Sequence, residues 1–569
     1  MGRTSSITRA AVLTATLTLT AASLVGTPAN AESTATTEYT VVANDNVSAA
    51  DAAAAISRAG GKVTGSNEAV GMYTVVAPQA GFVEKASAQS GLVGATHKTA
   101  IGKAPKKEQA GDVEREAQQA AKEARKHGGG GKPATAGMDP LDDKLWGLQT
   151  VRSDKARKVN AGDKRVTVGI LDTGVDASNP DIAPNFNWAL SKNFAKDMPD
   201  IDGPCEVASC LDPVGTDDGG HGTHVAGTIG AAANGLGVSG VAPNVSLVEL
   251  KGGQDSGYFF LEPTVNALVH AANNGIDVVN MSFYVDPWLF NCVANPADSP
   301  AAQAEQRTTI KAMFRALTYA HNKGVTLVSA LGNNHDDKGK PRPDISSPDY
   351  PADVAYERPV DNSTCWDLPT EGPFVISVTA LGPSLNKSDY SDYGVERATV
   401  SAPGGYFRDG LGTDTYRTVG NEILSTYPKK VLQEEGSVDE AGNVLPEFAD
   451  SVFKQCNAVG QCGYYTYLQG TSMASPHASG VAALIVSAHG QREGRNGFGL
   501  EPWKVEYILT TTAAEHACPT PRLVSYVDVG RDPEFDAYCE GNRQFNGFYG
   551  HGIVDAYAAV TAHTWWEHH

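Results

Sequence analysis

Short apolar runs separated by longer amphipathic stretches dominate the chain after residue 139. An uninterrupted apolar run shorter than a helix is typical of a strand buried on both faces, and the stretches between the runs favour helices. This alternation predicts a parallel sheet covered by helices on both sides, which is a three-layer α/β domain. The predicted strands are Val166–Leu171, Ser246–Leu250, Val278–Met281, Val325–Ala330 and Phe374–Thr379, with helices at Thr264–Asn274 and Thr308–Asn322.

A smaller pattern precedes this domain and contains no cysteine. Ser48, followed three residues later by Asp51, is typical of a helix start. The segment predicts a compact α+β unit of order βαββαβ. Its predicted strands are Glu38–Val42, Lys62–Thr64, Met72–Ala77 and Leu92–Lys98, and its predicted helices are 48–59 and Gln79–Gln89.

The N-terminus has the pattern of a secretory signal peptide. Arg3 and Arg9 flank the start of an apolar stretch, and Ala29-Asn30-Ala31 fits a small-x-small cleavage site, which predicts residues 1–31 as the signal. No later apolar stretch is long enough to span a membrane. We therefore expect an exported, extracellular protein with no membrane partner once the signal is removed.

The stretch from 105 to 138 has the composition of a flexible linker. Glu114–Lys126 favours helix but has no apolar stripe, so it is predicted to be solvated. Gly128–Lys132 resembles a phosphate-binding loop only superficially, because Pro133 stands where Ser or Thr is required. A hinge is the better interpretation.

Charge and cysteine content narrow the function class. The formal net charge of −20 argues against a nucleic-acid partner, which would require a basic surface. The eight cysteines suit disulfides in an oxidising compartment, and their spacing lacks the repeated C-x₂-C of zinc sites. Short spacing favours the pairs Cys205–Cys210, Cys456–Cys462 and Cys518–Cys539, which leaves Cys292 with Cys365.

Three motifs carry the chemistry, in the order Asp, His, Ser. Asp172 lies in Val168-Gly-Ile-Leu-Asp-Thr-Gly174, His221 in Gly220-His-Gly-Thr-His-Val-Ala-Gly227, and Ser472 in Gly470-Thr-Ser-Met-Ala-Ser-Pro-His477. A serine hydroxyl becomes a nucleophile when a base takes its proton and a third group orients the base. The three motifs and their order resemble the subtilisin-like serine peptidase family.

The resemblance implies a role for each motif residue. Ser472 would be the nucleophile, His221 the general base and Asp172 the group that orients it. Asn333 follows a predicted strand in a Leu-Gly-Asn turn and, by likeness, would stabilise the oxyanion together with the Ser472 N–H. His224 lies one helical turn after His221 and is expected to be a core histidine.

Substrate contacts are also implied by likeness. The family has an edge strand at Ser282-Phe283-Tyr284 that pairs with extended substrate, although Phe283 and Tyr284 depart from the usual residues. Lys251 and Gly252 are expected to bind substrate as well. Four stretches look inserted, and they could either narrow the cleft or decorate the surface: Asp286–Pro300, Asn334–Gly372, Gly404–Glu422 and Lys429–Tyr464.

A structural calcium site is implied by two further segments. Asp181 follows Pro180 as in the family's strong calcium site, and the loop after the histidine motif keeps the family's spacing. A plain turn rich in glycine and asparagine is the alternative. Oxygen-only ligands would suit Ca²⁺, and they would come from Asp181, Asn234, Asp139 and the carbonyls of Ala232, Leu236 and Val238.

The combined prediction is an α/β protein with a three-layer, mostly parallel-sheet, subtilisin-like catalytic domain at 139–569. A signal peptide (1–31), an α+β propeptide (32–104) and a linker (105–138) would precede it. The expected function is that of a secreted, monomeric serine endopeptidase acting on proteins or peptides, with the propeptide as its intramolecular inhibitor. A narrow-specificity processing protease and a catalytically silent binding module are the alternatives.

Overall fold

The computed structural model describes residues 35–98, 113–123, 139–351, 354–491 and 498–563. The predicted signal peptide at 1–31, the glycine run at 128–131 and most of the predicted linker lie outside these residues. The described chain forms a small N-terminal unit, one short helix and a large α/β domain.

The N-terminal unit is a four-stranded antiparallel sheet with the strand order β2-β3-β1-β4. Its element order is the βαββαβ expected from the sequence, and Ser48 caps α1 by accepting a hydrogen bond from Asp51 N at 3.1 Å. The second helix is shorter than the predicted 79–89. The elements are β1 (Thr36–Ala43), α1 (Ala49–Ala59), β2 (Lys62–Asn67), β3 (Met72–Pro78), α2 (Phe82–Ser87) and β4 (Leu92–His97).

A seven-stranded sheet with all neighbouring strands parallel forms the centre of the large domain. The strand order is β13-β12-β10-β8-β5-β7-β6. All five strands predicted from the apolar runs belong to it. Its strands are β5 (Thr167–Leu171), β6 (Lys192–Asn193), β7 (Ser246–Lys251), β8 (Val278–Met281), β10 (Thr326–Ala330), β12 (Val375–Leu381) and β13 (Val400–Pro403).

Helices cover both faces of this sheet. Because side chains alternate along a strand, β5 turns Ile170 toward a core that includes α6 and α10, and Leu171 toward a core that includes α7 and α8. The four helices are α6 (His221–Gly230), α7 (Leu261–Asn273), α8 (Pro300–Asn322) and α10 (Thr471–His489). The three-layer α/β prediction is therefore confirmed.

Helix α8 begins eight residues before the predicted Thr308 start, at Pro300. The side chain of Ser299 accepts a hydrogen bond from Ala302 N at 3.1 Å and so caps the helix.

The remaining α-helices and strands are α3 (Glu116–Glu123), α4 (Trp146–Thr150), α5 (Ser153–Ala156), β9 (Asn291–Cys292), β11 (Cys365–Trp366), β14 (Ile423–Tyr427), α9 (Lys429–Glu434), β15 (Val452–Cys456), β16 (Cys462–Leu468), α11 (Pro502–Thr512), β17 (Leu523–Val524), β18 (Ala537–Tyr538) and α12 (Ala556–Val560).

The sheet of the N-terminal unit packs on α7 and α8 of the large domain. Thr74 on β3 donates a hydrogen bond to Glu262 of α7 at 2.8 Å. Arg315 of α8 donates to the carbonyl oxygens of Ala43 at 2.8 Å and Val70 at 3.1 Å. Apolar side chains of the unit join the core beneath α7 and α8, so the unit and the domain share a packed interface.

All four predicted disulfides are present: Cys205–Cys210, Cys292–Cys365, Cys456–Cys462 and Cys518–Cys539. In the part of the chain that the structure describes, no helix is both long and apolar enough to cross a membrane.

Candidate active site

The three sequence motifs and the Leu-Gly-Asn turn meet at one edge of the parallel sheet. Asp172 directly follows β5, and Asn333 lies three residues after β10. His221 is the first residue of α6, and Ser472 lies in the first turn of α10. The carboxyl ends of parallel strands share one edge, which is where open α/β sheets form their active sites.

The carboxylate of Asp172 is fully buried and contacts the imidazole of His221. The distance between His221 Nδ1 and Asp172 Oδ1 is 2.7 Å, and Thr173 N donates to the same oxygen at 2.9 Å. The N–H groups of Gly252 and Gly253 bond the Asp172 carbonyl and fix its backbone. This geometry places a proton on Nδ1, so that Nε2 is the basic nitrogen of the neutral imidazole.

Asp217 joins the aspartate and histidine turns, a role that sequence reasoning missed. Its carboxylate accepts hydrogen bonds from Thr173 Oγ1 at 2.9 Å and from Gly220 N at 2.8 Å. It also accepts from both the N–H and the hydroxyl of Thr223, in the first turn of α6. An aspartate ahead of the Gly219-Gly220 pair was the signal for a side chain that organises this turn.

Ser472 is buried at the start of α10. Its Oγ lies 3.5 Å from the carbonyl oxygen of Ser282, which follows β8. Gly470 precedes the helix with φ of 150°, and a Cβ there would lie 3.3 Å from Glu114 Oε1 and 3.4 Å from Asn333 Nδ2. The Ser472 N–H lies in the first helical turn, where N–H groups lack an intrahelical acceptor and can bind an anion.

The amide of Asn333 is oriented by Thr471. Both the N–H and the hydroxyl of Thr471 donate to Asn333 Oδ1, at 2.9 and 2.8 Å. With its oxygen bound in this way, the amide directs Nδ2 toward the centre, on the side of Gly470. Asn333 Nδ2 and the Ser472 N–H can therefore serve as two donors to an oxyanion.

A carboxylate from outside the three motifs occupies this centre. Glu114 Oε1 lies 3.5 Å from His221 Nε2, and the Glu114 carboxylate also accepts a hydrogen bond from Ser472. Burial by itself would raise the pKa of Glu114, but the charge of His221 and these hydrogen bonds lower it below its usual range. Burial opposes charging of His221, yet the charges of Asp172 and Glu114 raise its pKa well above 6.5.

The segment carrying Glu114 is bound to the domain through residues 114–118, so the prediction that the 114–126 helix is solvated is wrong for these residues. Gln469 N donates to the carbonyl oxygen of Glu114 at 3.2 Å, and Arg115 donates to Tyr427 Oη at 2.6 Å. Ala117 is buried, and its N–H bonds Glu422. These polar anchors replace an apolar stripe, and for that reason periodicity did not reveal them.

Charge pairs complete this anchoring. The carboxylate of Glu116 binds Arg408 through one oxygen, and its other oxygen accepts from Arg531 at 2.8 Å. Arg115 pairs with Glu435. Guanidinium–carboxylate contacts of this kind strengthen the binding of the segment to the domain and fix its orientation.

His224 is a core residue, as expected. It is fully buried and bonds the carbonyl oxygen of Ile423 through Nε2 at 2.9 Å. Burial lowers its pKa to about 3, so it stays neutral.

The predicted substrate edge at Ser282–Tyr284 lies beside the centre. The hydroxyl of Ser282 contacts the carbonyl oxygen of Ser472 at 3.1 Å and Ser475 Oγ at 2.8 Å. Phe283 stacks on Phe259 with ring centroids 4.0 Å apart. Tyr284 donates its hydroxyl to Asp349 at 2.6 Å. Ser282 thus faces the nucleophile helix, whereas the two aromatic side chains are held by the protein itself.

The assignment of Lys251 and Gly252 to substrate binding needs correction. Lys251 is fully buried at the end of β7, and its Nζ binds Asp212 at 2.8 Å and Asp255 at 2.6 Å. The Gly252 N–H is bound by the Asp172 carbonyl. The Lys251 side chain therefore has no access to a substrate, and both residues instead support the loops around Asp172.

The residues predicted to bind calcium lie together. Asp181 accepts from Tyr465 Oη at 2.8 Å, Val238 N at 3.0 Å and Asn234 Nδ2 at 3.1 Å. Asn234 Oδ1 accepts from Leu236 N, at 3.0 Å. Burial raises the pKa of Asp181 to about 7, so an unscreened charge there is costly.

Two observations fit an oxygen-ligated cation at this place. Asp139 Oδ2 is buried without a hydrogen-bond partner, while Oδ1 accepts from Gly235 N. The carbonyl oxygens of Ala232, Leu236 and Val238 accept no hydrogen bond from the described residues. Asn234 and Asp181 are exceptions, because the side-chain oxygen of Asn234 and both carboxylate oxygens of Asp181 already accept hydrogen bonds.

Comparison with known proteins identifies the family of this chain. The profile of the subtilase family matches residues 163–552. The chain is 28% identical to subtilisin DY of Bacillus licheniformis, over 60% of this chain and 85% of that protein. It is 26% identical to fervidolysin of Fervidobacterium pennivorans, over 66% of this chain and 41% of that protein. Among solved structures, the epidermin leader peptide processing serine protease of Staphylococcus aureus is similar with a TM-score of 0.59 at 19% identity, covering 93% of this chain and 98% of that one. The chain belongs to the subtilase family and is a subtilisin-like serine peptidase.

Proposed function

We propose that this protein is a secreted serine endopeptidase, made as a zymogen, that cleaves peptide bonds with Asp172, His221 and Ser472. The observation that carries the proposal is the 2.7 Å contact between Asp172 and His221 beside a serine at the start of a helix. The Asn333 amide, oriented by Thr471, supplies the electrostatic part of the same machinery.

The mechanism follows from these positions. Ser472 Oγ attacks the substrate carbonyl while its proton passes to His221 Nε2, and Asp172 stabilises the resulting imidazolium through Nδ1. The negative charge that develops on the carbonyl oxygen is met by Asn333 Nδ2 and the Ser472 N–H. His221 then donates the proton to the leaving amine. In the second half of the reaction, His221 takes a proton from water as the water attacks the acyl-enzyme, and it returns that proton to Ser472 Oγ when the acyl group leaves.

The zymogen part of the proposal rests on where the N-terminal segments lie. The unit formed by 36–97 packs on α7 and α8, and Glu114 contacts both His221 and Ser472. A peptide substrate cannot reach the same atoms while this carboxylate is in place. We propose that 32–104 is a propeptide released by self-cleavage near Ala104–Lys107 and that the intact chain is latent. The leader at 1–31 and the four disulfides support export.

Calcium belongs to the proposal as a structural ion. Asp139, Asp181 and the carbonyl oxygens of Ala232, Leu236 and Val238 would hold it, and Asn234 would join by exchanging its bond to Leu236 N. When bound, the ion supplies charge that offsets the buried carboxylates and ties the start of the domain to two loops. It takes no part in the chemistry described above.

The proposal is tested with Ser472→Ala in the full chain, expressed in a host lacking other extracellular proteases. Wild-type protein should lose its N-terminal unit and react with a fluorophosphonate, whereas the variant should accumulate as an unprocessed chain starting near Glu32 and stay unlabelled. Normal processing of the variant would show that another enzyme matures it. Absence of labelling in processed wild-type protein would favour a non-catalytic role.

A narrow-specificity processing protease is the second candidate, and one observation favours it. Two of the inserted stretches are joined to each other by the Cys292–Cys365 disulfide, and the second of them is joined to the substrate edge by the hydrogen bond from Tyr284 to Asp349. A fixed tyrosine on this edge would restrict which side chains fit. Digestion of casein, compared with a defined peptide library, separates the two: broad cleavage of both favours a general endopeptidase, and cleavage of few sequences favours processing.

A further inference from the structure

A second cluster of carboxylates lies away from the Asp181 site, between the loop that joins β6 to α6 and the turn that follows β7. Asp197, Glu206 and Asp255 each place one carboxylate oxygen within 4.8 Å of the others. Asp197 is 3% exposed, and neither of its carboxylate oxygens has a hydrogen-bond partner. A buried carboxylate without any donor is costly unless a cation or a proton compensates it.

The cation already present does not balance this cluster. Lys251 is the buried ammonium group here, and it is bound by Asp212 and Asp255. Burial and the charges of Asp255 and Asp212 raise the pKa of Asp197 to about 7. Negative charge therefore exceeds positive charge around the unpartnered oxygens.

We infer that Asp197, Glu206 and Asp255 bind a calcium ion. All three ligands are hard carboxylate oxygens, the type that Ca²⁺ prefers, and no histidine or cysteine thiolate is part of the set. Oxygens about 2.3–2.6 Å from one ion lie at most about 5 Å apart, which the 4.8 Å limit satisfies. The side chain of Glu206 is 43% exposed, so solvent can complete the coordination.

A neighbouring carboxylate set competes less well for an ion. Glu206 also lies near Asp212 and Asp218. Asp212, however, is bound by Lys251 at 2.8 Å, and Asp218 by Lys430 at 2.6 Å. Those two carboxylates already have a cation, and Asp255 likewise contacts Lys251, at 2.6 Å. Asp197 differs from all of them because neither of its carboxylate oxygens has a partner among the described residues, and this places the ion in the set that contains Asp197.

Two features connect this site to the rest of the fold. Glu206 lies inside the short loop closed by the Cys205–Cys210 disulfide, and Asp197 N bonds the carbonyl oxygen of Cys210 at 2.8 Å. Asp255 follows β7 closely, after the glycines that bond the Asp172 carbonyl. An ion joining these segments would tie the 195–212 loop to the edge of the sheet that carries the active site. The inference does not depend on the proposed peptidase mechanism.

The test counts bound calcium in the full chain carrying Ser472→Ala, which prevents self-digestion. After chelation and removal of the chelator, calorimetric titration with CaCl₂ gives the number of ions bound per chain. Adding Asp197→Asn should lower that number by one, and adding Asp181→Asn should leave the Asp197 site filled. Asp200→Asn, an exposed acid on the same loop, is the matched control and should change nothing.

A second variant guards against a folding defect in Asp197→Asn. Glu206→Gln changes a partly exposed side chain and should weaken the same binding step at least tenfold without altering near-UV circular dichroism. In the parent protein, calcium should also slow proteolytic nicking between residues 195 and 212, an effect that both variants should lose. Unchanged stoichiometry and affinity in both variants would overturn the inference.

Discussion

Removing the charge of Glu114 should activate the enzyme and shift its pH dependence. At the observed 3.5 Å between Glu114 Oε1 and His221 Nε2, the attraction of two unit charges is about 5 kcal/mol at an effective dielectric constant of 20. Desolvation opposes it, and truncating one partner of a buried hydrogen-bonded charge pair costs roughly 2–5 kcal/mol. Glu114→Gln keeps the shape of the side chain, so we expect a cost at the lower end of this range, about 2 kcal/mol. The equilibrium constant for occupation of the centre by residue 114 should then fall about 30-fold.

The sign of the pH effect follows from the direction of the shift. Asp172 and Glu114 raise the pKa of His221 well above 6.5, while burial acts against charging. Because the pKa of His221 is raised, the attraction between Glu114 and the protonated imidazole is fully present at low pH. It is lost as the pH rises through that pKa. Latency should therefore be greatest in acid. Removing the Glu114 charge should lower the pKa of His221, so the pH at which reactivity begins to rise should move down. The expected change is about one to one and a half pH units, roughly the equivalent of 2 kcal/mol.

The assay is the second-order rate constant for fluorophosphonate labelling of the secreted protein between pH 5 and 9. Glu114→Gln should label about 30-fold faster near neutral pH, and the difference should shrink as the pH rises. Glu116→Gln is the matched control, because it loosens the same segment from Arg408 and Arg531 without touching His221. It should leave the pH at which reactivity begins to rise unchanged. If Glu114→Gln and the wild type have the same labelling rate constant and the same pH dependence of labelling, the Glu114 carboxylate does not occlude the centre.

Three further outcomes are expected. Asn333→Ala should lower kcat by about 10²–10³ with little change in KM, because the amide acts only in the transition state; unchanged kcat in an active-site-titrated preparation would leave Asn333 with the structural role of positioning Thr471. In the matured enzyme kcat/KM should rise with pH as His221 loses its proton, and a flat profile from pH 5 to 8 would contradict a general-base role. Asp181→Asn should reproduce chelation by lowering the melting temperature and accelerating autolysis while initial activity is kept, since an ion at a hundredfold excess over its Kd contributes about 2.7 kcal/mol; immediate loss of activity with an intact fold would instead indicate a metal in the chemistry.

The elements that the sequence predicts well are those in which one local pattern determines the outcome. Buried parallel strands have no polar face, so β8 and β10 are evident as apolar runs, and their bounds agree with prediction to within one residue. Helix α8 is longer than predicted because its first two turns are less apolar, and its start depends on a single cap at Ser299. Cysteine spacing sufficed for the disulfides because three of the four pairs close short loops.

Long-range polar contacts carry no such local pattern. Likeness to the family predicts Lys251 as a substrate contact, yet the two aspartates that bind it lie 39 residues upstream and four residues downstream. The Glu114 segment is similar: its composition is that of a solvated helix, and only the fold brings Gln469, Tyr427 and Glu422 to its backbone and side chains.

The same distinction explains which part of the site was predictable. The chemistry of the proposed triad requires three groups fixed on rigid elements. Each proposed member accordingly lies in a constrained turn with a recognisable neighbourhood: Asp172 after a strand, and His221 and Ser472 at helix starts. An inhibitory carboxylate has only to reach the histidine, and it can do so from any segment that the domain holds in place. Glu114 is therefore specified by the contacts that hold its segment on the domain. Under the proposed latency, those contacts, and not the triad, distinguish the latent arrangement from an open one.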